Sequence, residues 1–74
     1  MKYTHEIWIN VEGHNKLVIA SDYIKAKTAQ LKEFGYSNLT EETVEEQLQL
    51  IFENKPLSVI GKFMEDDIVK ESEK

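Results

Sequence analysis

The chain contains no cysteine and no arginine, a single proline, and three glycines that stand far apart at Gly13, Gly35 and Gly61. Without cysteine there is no disulfide framework, no zinc knuckle and no thiol nucleophile, and the expected setting is reducing and intracellular. Without arginine the chain lacks the guanidinium fork that reads guanine edges and clamps phosphates bidentately. Isolated glycines form no Gly-rich loop to cradle a phosphate. Long apolar runs are missing too: the longest, Leu17-Val18-Ile19-Ala20, falls far short of a membrane span. Residues 1–6 lack the apolar stretch of a signal peptide. A soluble, cytoplasmic protein with no membrane partner is the expectation.

Charge is plentiful but lopsided. The net charge is −5; residues 1–34 carry four acids against five lysines, whereas residues 35–74 carry ten acids against four. Phosphate backbones repel such a surface, so no direct nucleic-acid binding is expected. A length of 74 residues allows one domain, which buries only about 60–65% of its unfolded surface. Such a domain gains from self-association, and a homodimer is one expected form.

Residues 2–12 alternate, with Tyr3, His5, Ile7, Ile9 and Val11 on one side and Thr4, Glu6, Trp8, Asn10 and Glu12 on the other. Period-two alternation rich in β-branched and aromatic residues predicts a strand with one buried face. Residues 16–20 resume the pattern. A three-residue loop over Gly13, His14 and Asn15 would pair Val11 with Leu17 and Ile9 with Ile19, with Asn15 taking a positive φ. Ser21 or Asp22 can cap a helix carrying Ile24, Thr28, Leu31 and Phe34 or Gly35 at helical spacing, with Gly35 a residue that ends it. Thr40 is the strongest cap in the chain. Glu41 and Glu42 follow it in the first turn, and Leu39 with Val44 forms a hydrophobic staple. That second helix runs to about Asn54, where Lys55-Pro56 stops it.

Residues 57–64 read as a third strand, with Leu57, Val59 and Phe63 on one face and Ser58, Ile60, Lys62 and Met64 on the other. The predicted fold is α+β, in the order β-β-α-α-β: an N-terminal hairpin plus a C-terminal strand form a three-stranded sheet, with two helices packed on one face. The third strand is expected beside the first, which makes residues 3–11 central. Residues 1–64 form the domain, and residues 65–74 a charged tail that is a short helix or frayed.

Searching this pattern for chemistry yields little. His14 reads as a solvated turn residue and His5 as a sheet-edge residue, with no serine in a nucleophile elbow. The carboxylates at 41–46 and 65–67 lack the spacing and glycine of a calcium loop. The expectation is no enzyme, no metal and no cofactor. Two surfaces remain as candidates for a partner. Trp8 faces away from Ile7 and Ile9; in the expected register it neighbours Ala20 and lies diagonal to Val18, with Ile60 and Met64 joining from the third strand. Tryptophan is the residue type most enriched at binding hot spots. Alternatively, Ile68 and Val69 fold back over this face. Glu41, Glu42, Glu45 and Glu46 form the second surface, compact because residues one helical turn apart are neighbours; Glu53, Glu65, Asp66 and Asp67 would extend it if they share that side. The expected function is a small acidic intracellular binding protein that modulates a larger protein partner, a basic nucleic-acid-binding protein being the sharpest version. The alternative is a structural homodimer or subunit packing through the Trp8 face.

Overall fold

The computed structural model describes residues 6–69; the expectations for residues 1–5, His5 and the start of the first strand included, and for residues 70–74 lie outside that range. Two strands open the chain, β1 (Glu6–Val11) and β2 (His14–Ile19). Helix α1 (Ala20–Glu33) follows without a break, then α2 (Glu41–Phe52), α3 (Val59–Glu65) and a two-residue strand β3 (Ile68–Val69). The sheet is antiparallel with order β2-β1-β3, so the first strand is central, as the alternation suggested.

The hairpin is tighter than expected. Its loop is Glu12-Gly13, both at positive φ (53° and 86°), which is the two-residue geometry whose twist matches the strands. Asn10 Oδ1 accepts from the Gly13 N–H at 3.1 Å, and Asn10 Nδ2 donates to Asn15 Oδ1 at 3.0 Å, so the loop is tied from within. The register therefore pairs Ile7 with Val18, Trp8 with Leu17 and Ile9 with Lys16. An odd slip relative to the three-residue loop turns the whole of β2 over: Leu17 and Ile19 leave the core face and Val18 enters it. Lys16 stands beside Ile9 but remains exposed at the sheet margin. The apolar matching that favoured the longer loop was outweighed by the turn.

The helices begin and end by local chemistry. Ile19 precedes α1 with no side-chain cap, so neither Ser21 nor Asp22 serves as one. At its other end Tyr36 N–H donates to Leu31 O and Gly35 N–H to Lys32 O, a closed C-cap around Gly35 at φ 120°. Phe34, expected on the buried stripe, is exposed. Thr40 Oγ1 accepts from Thr43 N–H at 3.4 Å and caps α2 as predicted. The helix ends before the proline acts: Asn54 takes φ 57°, with Lys55 N–H on Leu50 O and Asn54 N–H on Ile51 O.

Residues 59–65 are a helix, not the predicted third strand. Ser58 Oγ caps it by accepting from Gly61 N–H at 3.4 Å. Leu57, Ile60, Gly61 and Met64 then recur at helical spacing and face α2 or the core. Gly61 is required by proximity: a Cβ there would lie 2.6 Å from Gln47 Oε1. The third strand comes instead from the stretch assigned to the tail. Ile68 pairs with Ile9 and packs into the core, so the folded unit reaches at least Val69. That core joins Ile7 and Ile68 of the sheet to Tyr23, Ile24, Val44, Leu48, Ile51 and Met64, all on the Ile7 side. Among the described residues the helices thus cover one face of the sheet and leave the other uncovered.

Candidate functional site

The bare face is built by alternation. Trp8 stands on β1 between Glu6 and Asn10, with Leu17 directly across on β2, Ile19 diagonal to it, and Val69 on its other side in β3. Trp8, Leu17 and Ile19 keep 43%, 44% and 38% of their surfaces exposed. Cross-strand neighbours on one face lie about 4.5–5.5 Å apart at Cβ, so these side chains form one continuous apolar patch. The Asn10–Asn15 pair and Glu6 bound it with polar groups.

Of the four residues predicted to surround Trp8, the structure places all four elsewhere. Val18 is half-buried on the opposite face against Ile7, because of the register change. Met64 is fully buried in the core and Ile60 packs beside that core, because residues 59–65 are a helix on the covered side. Ala20 is buried as the first residue of α1. Leu17 and Ile19 were missed, and Val69 reaches the face as a neighbouring strand. The Glu12-Gly13 pair was the available signal, since X-Gly between alternating segments marks a two-residue hairpin; Glu in place of Asn or Asp weakened it. Ile68 and Val69 do not fold over the patch. They extend the sheet sideways, and only Val69 contributes to the face.

The acidic surface on α2 stands apart. Glu41, Glu42 and Glu46 are exposed and Glu45 is half-buried, over the first two turns behind the Thr40 cap. Glu53 lies at the far end of that helix, a distance of about 15–20 Å at 1.5 Å per residue, and is paired locally. Gln49 Nε2 donates to it at 2.6 Å and Lys55 Nζ approaches at 3.2 Å, which together hold its carboxyl below the ordinary value. Asp67 does not extend the surface either. Its Oδ2 accepts from Tyr23 Oη at 2.8 Å and pairs with Lys27 Nζ, while its carbonyl accepts from Asn10 N–H at 2.8 Å. Lys27 also sits 5.8 Å from the centre of the Tyr23 ring and donates to Gln30 Oε1. Asp67 is thus a clasp between α1 and the sheet. Burial, then the Asp67 carboxylate, push the Tyr23 hydroxyl well above its ordinary pKa.

A wide, open groove of about 400 Å³ lies between the end of α1 and the start of α2, lined by Gly35, Tyr36, Ser37, Asn38, Leu39, Thr43 and Ile60. Phe63 stacks edge-on against Tyr36 nearby, at 6.2 Å and 67°. The groove holds no carboxylate, imidazole or amine, so it offers no acid–base pair. His14 opens β2 as an exposed residue opposite Val11. Among the described residues no three His, Cys, Asp or Glu side chains converge as a metal site, and no helix is long and apolar enough to cross a membrane. Comparison of the chain with family models, with curated proteins and with solved structures finds no match.

Proposed function

We propose that this chain is a small cytoplasmic protein that acts by binding rather than by catalysis, engaging and modulating a larger protein partner through the Trp8 face of its sheet. One observation carries the reading: a tryptophan, a leucine and an isoleucine stand side by side and about two-fifths exposed on the sheet face that no helix covers among the described residues. An indole flanked by aliphatic side chains and a polar margin is the composition of an interface centre. Removing such a patch from water is worth about 25 cal/mol per Å² of apolar area, a gain the isolated chain leaves unused. The absence of cysteine supports a reducing compartment. The carboxylates of Glu41, Glu42, Glu45 and Glu46 make a basic partner the better fit, since like-charged surfaces would be held off.

Affinity capture from the native host tests the reading, with wild type beside Trp8→Ala and a fourfold Glu→Lys variant at 41, 42, 45 and 46. The expected result is a partner held by wild type and lost with Trp8→Ala, its binding weakened by the reversal and by high salt. Trp8, the only tryptophan, should shift its fluorescence to the blue when the purified partner is added. Equal capture by wild type and Trp8→Ala overturns the proposal.

A further inference from the structure

Strand β2 lies at the edge of the sheet, with no strand beside it among the described residues. The direction of its free backbone groups follows from one hydrogen bond. Asn10 N–H donates to Asp67 O, so the Asn10 backbone points towards β3 and away from β2. Successive residues point to alternate sides, so Trp8 and Glu6 also turn to β3, and Ile7, Ile9 and Val11 turn to β2. The cross-strand partners of Asn10, Trp8 and Glu6 are Asn15, Leu17 and Ile19. These three therefore aim their N–H and C=O groups out of the open edge.

The two edges of the sheet are not alike. Strand β3 is two residues long, and a short edge offers little to pair with. Strand β2 is six residues long, contains no proline and no acid, and carries one charge, Lys16. Its outward-facing residues include the exposed Leu17 and Ile19. Such an edge is an unblunted template for another strand.

We propose that β2 pairs antiparallel with β2 of a second copy of this chain, about a two-fold axis at Leu17. That register sets Leu17 opposite Leu17 of the second copy, Asn15 opposite Ile19, and Lys16 opposite Val18. Every residue whose backbone faces the edge then meets another of the same kind, the condition for a hydrogen-bonded ladder. Leu17 N–H and C=O bond across the axis, and Ile19 N–H bonds Asn15 C=O on either side of it. The Ile19 carbonyl caps the start of α1, so the four bonds named are those made by uncommitted groups. A register shifted by one residue would set inward-facing groups against outward-facing ones. A second copy is favoured over an unrelated strand because the contact is self-complementary. The paired strands themselves set no carboxylate against another, since β2 contains none. The product is a six-stranded sheet with two Trp8 faces side by side. This goes beyond the proposed function and does not require the larger partner.

Sedimentation of the full chain and amide hydrogen exchange test it together. Wild type should sediment at twice 8.6 kDa as concentration rises, with the Leu17 and Ile19 amides becoming protected in step. Leu17→Pro removes an N–H that β1 does not use, so the hairpin should remain while the dissociation constant rises at least about tenfold. Leu17→Thr loses the same apolar side chain but keeps the N–H, and should still dimerise. Trp8→Ala should still dimerise while losing the larger partner, which separates this inference from the preceding one. Dimerisation retained by Leu17→Pro overturns the proposal. So does wild type that stays at 8.6 kDa to its highest soluble concentration with a freely exchanging Leu17 amide, a result independent of whether the proline variant folds.

Discussion

Gly61→Ala puts the packing of α3 on α2 under direct strain. The added Cβ would sit 2.6 Å from Gln47 Oε1 and 2.9 Å from Leu57 Cβ, where carbon contacts are favourable only at about 3.5–4.0 Å. The Gln47 oxygen cannot simply swing away, because Gln47 is buried and accepts from Ser58 N–H at 3.2 Å. Either α3 slides off α2, or the amide turns and leaves the Ser58 N–H without its acceptor. Overpacking costs about 1–3 kcal/mol, and a part-buried hydrogen bond lost with its partner left behind about 1–3 more. Alanine's better helix propensity returns about 1 kcal/mol. The net expectation is a loss of about 1–5 kcal/mol, each kcal/mol lowering Tm by about 4–8 °C for a domain this small. Thermal and urea unfolding followed by circular dichroism measure it. Adding Gln47→Ala should recover part of the loss, since residues that clash are not additive. If residues 57–64 formed a strand, alanine would remove the entropic penalty of glycine and stabilise the chain. A Gly61→Ala variant with unchanged or raised Tm would refute the helical packing described here.

Other consequences are as direct. Glu12→Asn replaces a residue held at φ 53° by one that tolerates it, so the hairpin should gain about 1 kcal/mol and the Tm several degrees. Met64→Ala should cost about 2–5 kcal/mol as a core truncation, whereas Val59→Ala on the exposed side of the same helix should stay within about 0.5 kcal/mol; equal effects would put α3 in the wrong rotation. Tyr23 is held protonated in the fold, above its ordinary pKa of 10.0, by burial first and Asp67 second. The resulting stability is fully present below about pH 10 and falls above it as the unfolded phenol ionises, by up to about 1.4 kcal/mol per pH unit. Tyr23→Phe should be less stable at pH 7 but lose less between pH 10 and 12, with lysine titration common to both variants. Parallel stability curves over that range would contradict the Tyr23–Asp67 contact.

What the sequence by itself determined is what short-range chemistry controls. The Thr40 cap and the Gly35 terminus each involve residues within five positions of one another, and each is where it was expected. The alternation through Glu6–Val11 likewise required a strand with Trp8 turned away from Ile7. The α+β class and the central place of β1 followed from the same patterns. Which neighbours Trp8 would have depended on the hairpin loop, which closes over Glu12-Gly13 rather than Gly13–Asn15, and the odd shift in register reverses a whole strand. Residues 57–64 satisfy both periods, because Leu57, Val59 and Phe63 alternate while Leu57, Ile60, Gly61 and Met64 recur helically. Gln47 settles the matter from another element, by meeting Ser58 and leaving room only for a glycine at 61. Asp67 reads as one more acid in a charged tail until Tyr23 and Lys27, some forty positions away in the chain, are brought against it. Contacts between distant segments leave no periodic trace, so the bare Trp8–Leu17–Ile19 face and the open β2 edge were decided only when the helices packed on the other side.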